Sequence, residues 1–274
     1  MKNNISLIAC DLDGTLLTVD KRLSALTVDT LKKVHEKGIR IVICSGRPLY
    51  SVERLFDGVP YDYACCLNGQ AVYDHDGHTL MMKNSLNREQ IDHLLHLTAQ
   101  FPVVLNYSIG RNFYHTVSPK CSLLSRFVNW CSRMYQQIVH HNNLFRMMVP
   151  FEEVKMDICE KFCYAGSYRT LKALASRLDP EVYGAVFVSK TWLEIQPAGI
   201  TKGKALSFVE AYEGITREQC AAVGDGENDL SMFEAAGYRI AMENGMNALK
   251  EKADTIASSN LKDGAARWMI QNLL

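Results

Sequence analysis

The sequence predicts an α/β fold: a doubly wound parallel sheet with crossover helices, interrupted by an inserted α+β domain. Three observations carry this expectation. Short, nearly continuous apolar runs alternate with helix-length segments at both ends of the chain. Each early run stops at a loop bearing polar side chains and glycine. A long middle segment of different texture separates the two halves, far beyond the roughly 2–6 residues of an ordinary αβ connection.

The elements follow in order. Residues 5–10 (Ile-Ser-Leu-Ile-Ala-Cys) read as a strand buried on both faces. The string Asp11-Leu12-Asp13-Gly14-Thr15 ends it. Ser24 is placed to cap a helix that carries Leu26, Leu31 and Val34 inward and stops at Gly38. Residues 39–44 form a second apolar run, closed by Ser45-Gly46-Arg47-Pro48, and Pro48 suits the first turn of another helix. Residues 63–67 form a third strand, closed by Asn68-Gly69. The alternation resumes with a helix over 201–212, a strand over 220–223, the loop Gly224-Asp225-Gly226-Glu227-Asn228-Asp229 and a helix over 230–236. A strand over 238–242, a helix near 246–252, a strand at 255–256 and a helix from Lys262 complete the sheet domain.

The expected division is therefore a sheet core of residues 1–83 and 193–274 around an inserted domain of residues 84–192. Within the insertion, helices are expected over 88–99, 122–134 and 168–178, and strands over 103–107, 112–116, 162–165 and 183–189.

Composition narrows the class. The chain has 274 residues, 47% hydrophobic and 22% charged, which is globular material. Thirty basic residues balance thirty acidic ones, so no global field draws it to nucleic acid or an anionic membrane. No apolar stretch reaches the roughly 18 residues of a spanning helix, and Asp11 and Asp13 break the apolar N-terminal run that a secretory signal needs. Nine cysteines, several inside apolar runs and none in a CxxC pair, read as reduced core thiols. A cytoplasmic protein is expected.

In doubly wound sheets ligands bind beyond the carboxyl ends of the strands. Asp11, Asp13 and Ser45 all lie just past such ends. Two carboxylates at i and i+2 can serve one as attacker and one as proton carrier, and a carboxylate attacking phosphorus splits the displacement into two easier steps. An isolated Asp-x-Asp is also a common acidic turn, whereas Asp-Leu-Asp-Gly-Thr-Leu is far more specific. Ser45-Gly46 offers a hydroxyl and backbone amides to an anion. Lys202, at a helix start in Gly-Ile-Thr-Lys-Gly-Lys, is placed to neutralise charge, with Lys204 as a solvated neighbour. Asp225 follows an apolar strand as a candidate metal ligand, with Asn228 and Asp229 beside it.

These four pieces, in this order and spacing, resemble the haloacid dehalogenase superfamily, closest to its Cof-type branch of sugar and small-metabolite phosphatases with a C2B cap. The resemblance spans the whole chain. It implies a Rossmann-like core and magnesium-dependent hydrolysis of small phosphate monoesters, with Asp11 as the phosphorylated nucleophile and Asp13 as acid, then base. It implies Mg2+ on the Asp11 carboxylate, the Asp13 carbonyl and Asp225. The phosphate would lie against Ser45, Lys202, Asn228 and the backbone at Leu12 and Gly46, and Asp229 would orient Lys202 or metal-bound waters. Cys44 stands where alanine is commoner and Ser45 where threonine is frequent; neither changes the chemistry. The expected partner is a small phosphorylated metabolite, selected by a cap that closes over the crevice.

Weaker signals stay open. His93 and His96, spaced i, i+3, and His140 and His141 lack a carboxylate pattern for zinc. Tyr107, Arg111, Asn112 and Tyr114 fit either a substrate pocket or a polar hairpin. A phosphomutase on the same site and a non-catalytic sensor of a phosphorylated metabolite are the competing functions. An intact Asp11–Asp13 pair speaks against the sensor.

Overall fold

Leu7–Cys10 form the first strand, β1, and all four residues are fully buried. Alternate side chains serve two cores: Ile8 and Cys10 pack on one face of the sheet, Leu7 and Ala9 on the other. That two-sided burial is why the run carries no polar alternation. The computed structural model describes residues 5–82, 85–109, 112–122, 127, 131 and 146–274. After β1 come helix α1 (Ala25–Glu36), strand β2 (Arg40–Cys44), helix α2 (Leu49–Leu55) and strand β3 (Tyr63–Cys66). The Ser24 hydroxyl accepts from the Thr27 amide as the expected cap of α1, and Gly38 takes φ +77° just past its end. Pro48 sits at the N-cap of α2, one residue ahead of its first turn. Strands β4 (Ala71–Asp74) and β5 (Thr79–Met82) then fold back antiparallel, an extension the sequence did not signal.

The chain next builds a second compact unit, Asn84–Gly199. It contains β6 (Leu86–Asn87), α3 (Arg88–Thr98), β7 (Val104–Ile109), β8 (Asn112–Val117), β9 (Arg146–Met148) and β10 (Ile158–Cys159). Strand β11 (Phe162–Ala165), helix α4 (Tyr168–Ala175) and strands β12 (Tyr183–Ser189) and β13 (Trp192–Pro197) complete it. Its main sheet runs β12-β13-β11-β7-β8-β9, antiparallel except for β8 with β9. Leu94, Leu97, Leu171 and Leu174 from the helices pack on Leu105, Phe162, Tyr164, Leu193 and Ile195 from that sheet. The expected return to the core at residue 193 falls inside β13. Leu193 and Ile195 are core residues of the second unit, and the boundary lies at Gly199. The helix expected over 122–134 lies largely outside the described residues, as do His140, His141 and Arg111.

The first unit resumes with α5 (Lys202–Glu213), β14 (Cys220–Gly224), α6 (Leu230–Ala235), β15 (Tyr238–Met242), α7 (Asn247–Lys250), β16 (Thr255–Ala257) and α8 (Gly264–Asn272). Its sheet order is β16-β15-β14-β1-β2-β3-β4-β5, parallel from β16 to β3. The chain leaves β1 toward β2 on one side and returns through β14 on the other. That reversal is the topological switch point at which such sheets bind ligands. No helix among the described residues is long and apolar enough to cross a membrane.

Candidate active site

The site is assembled at the carboxyl ends of β1, β2, β3 and β14. The Asp11 amide still bonds the Val223 carbonyl at 3.0 Å, so the last rung of the β1–β14 ladder fixes where its side chain leaves the sheet. The chain then turns tightly through Leu12–Leu16, with Leu17 N–H donating to the Leu12 carbonyl and Gly14 at φ +91°. A Cβ at Gly14 would lie 2.2 Å from Asp225 Oδ2, so glycine is required both by the backbone and by the acidic side chain crossing above it.

Lys202 has no exposed surface. Its ammonium donates to Asp11 Oδ1 at 2.6 Å and to Asp229 Oδ1 at 2.7 Å. Burial alone would lower its proton affinity, but the two carboxylates outweigh that and hold it firmly protonated. Burial also pushes the Asp11 carboxyl well upward; Lys202 opposes, and Asp229 and Asp225 add to the rise. Asp229 Oδ2 accepts from the amides of Asp225 and Gly226, both at 2.9 Å. Both Asp229 oxygens are thus engaged, and the residue braces the lysine and the loop together. Lys204, two residues along the same helix, is exposed. A Cβ at Gly203 would meet the Ser231 carbonyl at 2.1 Å, so this helix seats directly on the Asp225–Asp229 loop's continuation.

Asp225 hydrogen-bonds Thr15 Oγ1 at 3.2 Å, and Asn244 Nδ2 reaches the Gly14 carbonyl at 2.8 Å. Among the described residues no cation pairs with Asp225. Burial and the neighbouring Asp229 charge push its carboxyl up to about 6. Asp11, Asp225 and Asp229 bring one oxygen each within 4.8 Å of one another. Three carboxylates against one ammonium leave a surplus of two negative charges on hard oxygen donors, which fits a divalent cation of the magnesium type. Because Asp229 is saturated, Asp11 and Asp225 are the carboxylates free to ligate.

The Asp13 side chain is not part of this group of three carboxylates. Arg47 Nε donates to its Oδ2 at 2.7 Å and Arg47 Nη2 to its Oδ1 at 2.9 Å, while Lys21 Nζ lies 2.8 Å from Oδ1. Partial burial would raise Asp13, but Arg47 and then Lys21 bring it down to about 2. Its carboxylate is therefore occupied by cations of the protein, leaving the backbone carbonyl as the atom this residue can offer a metal.

Ser45 is buried, its hydroxyl accepts the Arg47 amide at 3.2 Å, and its carbonyl accepts the Asn68 amide at 3.0 Å. Asn68, at φ +57°, accepts from Asn228 Nδ2 at 3.1 Å through its side-chain oxygen. One hydrogen-bonded chain thus joins Asn228, Asn68, Ser45, Arg47 and Asp13, with the Leu12 and Gly46 backbone in the same two loops. Lys21, Arg47, Asn68 and Asn244 have no role assigned from the sequence, and Thr15 enters there only as part of the string after β1. Arg47 and Asn68 carry a signal in their place in the loops after β2 and β3; Lys21 and Asn244 carry none. In the second unit, Tyr107 is buried and stacks on Tyr114 with ring centroids 5.3 Å apart, so it serves the core of that unit. His93 and His96 are both exposed, and His93 Nδ1 lies 2.9 Å from the Tyr183 hydroxyl.

The model of the haloacid dehalogenase-like hydrolases matches residues 8–269. The chain is 30% identical over 290 residues to the 5-amino-6-(5-phospho-D-ribitylamino)uracil phosphatase YwtE of Bacillus subtilis, covering 97% of each protein. It is 27% identical over 286 residues to the pyridoxal phosphate phosphatase YbhA of Escherichia coli, covering 97% of this chain and 98% of that one. Among solved structures, BT1666 of Bacteroides thetaiotaomicron, described among phosphatases of the same superfamily, superposes with a TM-score of 0.79 at 25% identity, over 97% of this chain and 94% of that one.

Proposed function

This chain belongs to the haloacid dehalogenase-like hydrolases and is an enzyme of the phosphatase class, and on that premise we propose that it hydrolyses small phosphate monoesters with magnesium through an aspartyl-phosphate on Asp11. The observation that carries this is the Asp11–Lys202 pair. A buried carboxylate is held through Oδ1 by a fully buried ammonium, and among the described residues its Oδ2 accepts no hydrogen bond. That geometry leaves one oxygen to attack while the charge of the nucleophile is balanced.

Magnesium, held by the Asp11 carboxylate, Asp225 and the Asp13 carbonyl, would supply the positive charge that lets one anion approach another. In the first half-reaction Asp11 Oδ2 bonds to phosphorus, the bond to the leaving alcohol breaks, and Asp13, which Arg47 and Lys21 hold ionised without substrate and which carries a proton only in the substrate complex, gives that oxygen its proton. In the second, water bonds to the phosphorus and gives a proton to Asp13. The phosphorus–Asp11 bond breaks, and its electron pair restores the Asp11 carboxylate. Lys202, Ser45, Asn228 and the amides of Leu12 and Gly46 hold the phosphoryl oxygens, and Asp229 keeps Lys202 in place.

The substrate class is sugar phosphates or phosphorylated cofactors, in keeping with the ribityl phosphate and pyridoxal phosphate named for the two relatives. Nine free cysteines suit a reducing cytoplasmic setting. The test is phosphate release from a panel of phosphosugars, nucleotides, FMN and pyridoxal phosphate, with magnesium or EDTA and without a bisphosphate activator. Release that needs magnesium and falls at least about a thousandfold in Asp11→Asn is the expected result. Well-folded protein that releases nothing would transfer the assignment to a mutase or a sensor.

A further inference from the structure

The Asp13 carboxylate is gripped more closely than a proton carrier on a surface turn needs to be. Arg47 meets it with two parallel N–H bonds, at 2.7 and 2.9 Å, the bidentate geometry that fixes orientation as well as charge. The arginine is itself tied down at three points. Nη1 donates to Ser51 Oγ at 3.1 Å, one turn into α2; its amide donates to Ser45 Oγ; and its carbonyl accepts the Leu67 amide at 3.1 Å. Lys21 touches the same carboxylate from a side chain that is 59% exposed, as a point charge on a flexible stem. Among the described residues, charge near Asp13 is thus supplied twice, whereas orientation is supplied only by the arginine fork.

We infer that Arg47 is the positioning residue for Asp13, setting the direction from which this carboxyl exchanges its proton with the leaving alcohol and then with water. This rests on Asp13 being the proton carrier proposed above. Both oxygens lie on the fork, which orients the carboxylate to accept a proton; with one oxygen protonated, the other would remain on the guanidinium and keep that orientation. Among the described residues Arg47 makes its fork to Asp13 and no hydrogen bond to Asp11, so the role inferred for it runs through Asp13.

The test uses two substrates that differ in their need for a proton. A sugar phosphate, the one wild type cleaves fastest, has an alkoxide leaving group that must be protonated. p-Nitrophenyl phosphate has a leaving group that departs without help. kcat/KM reports the steps through loss of the leaving group, so it isolates the first proton transfer. In Arg47→Ala, kcat/KM for the sugar phosphate should fall about a hundredfold and that for p-nitrophenyl phosphate by less than about fivefold. Arg47→Lys, which keeps the charge and loses the fork, should fall in between with the same preference. Retained p-nitrophenyl phosphatase activity shows that the variants are folded. Equal losses on both substrates, or no loss on either, would overturn the assignment. If Asp13→Asn discriminates between the substrates and the Arg47 variants do not, this inference alone fails. If wild type cleaves neither, the phosphatase proposal fails and takes this one with it.

Discussion

Asp225 concentrates the electrostatic problem of the site in a single side chain. It lies beside Asp229 and within 4.8 Å of Asp11 and Asp229 oxygens, with no ion-pair partner among the described residues. Removing its charge should relieve repulsion, so Asp225→Asn in EDTA should melt above wild type. After discounting for partial exposure the gain is about 1 kcal/mol, or roughly 2–4 °C for a protein of this size. The same variant should lose the magnesium-induced rise in melting temperature expected of wild type, worth about 2.7 kcal/mol at a hundredfold excess over the dissociation constant. Thermal melts of both proteins with and without magnesium check both halves, and a wild-type melt indifferent to magnesium would argue against a cation here. Gly203 is a steric counterpart. Alanine there meets the Ser231 carbonyl backbone, so Gly203→Ala should cost about 1–3 kcal/mol in urea denaturation. At this scale the acidic strings were legible because each is a local motif after an apolar run. Arg47 and Asn244 were not, because their partners lie 34 and 230 positions away and only the folded sheet brings them together.

Elements were legible wherever burial is two-sided. Strands β1, β2, β14 and β15 are apolar runs because helices cover both faces of the sheet, and the sequence places each within a residue or two of its observed ends. The hairpin of β4 and β5 is only partly buried and carries no such run, which is why it was missed. Strand β13 carried no expectation, because the insertion expected from the sequence ends at residue 192, and its pairing with β11 and β12 assigns it to the second unit. At the far edge, β15 is tied to the chain entering β16 by a fork from Arg239 to Asp254, with both bonds at 2.9 Å. Those bonds, with burial opposing, hold the Asp254 carboxyl below its usual value. A depressed carboxyl contributes its stability above the unfolded pKa of about 3.9 and loses it as pH falls through the folded value. Asp254→Asn should therefore cost about 0.5 kcal/mol at pH 7, a small figure because the pair is a third exposed. The gap between the two proteins in urea melts should shrink as pH falls from 5 toward 3. A gap that stays constant would place the contribution in packing.

In the whole molecule, three buried clusters are built, two in the first unit and one in the second. The parallel sheet has a buried cluster on each face, and the second unit has its own cluster between one sheet face and two helices. Asp11, Asp13, Ser45, Lys202, Asn228, Asp225 and Asp229 all belong to the first unit. Magnesium should accordingly slow amide exchange in β1, β14 and the loops after them, and leave β11 and β13 much less changed. Uniform protection of both units would contradict a metal site confined to the first. The division into two units was legible from the long change of texture, while its second boundary was not, since β13 begins where that change of texture ends. The proposed reaction passes through a phosphorylated Asp11. The most direct measurement is acid quench during turnover, borohydride reduction and mass spectrometry of the peptide spanning residue 11. Conversion of Asp11 to homoserine, appearing only with substrate and magnesium, is the expected result. Steady phosphate release with Asp11 unmodified at every quench time would contradict it and point to direct attack by water.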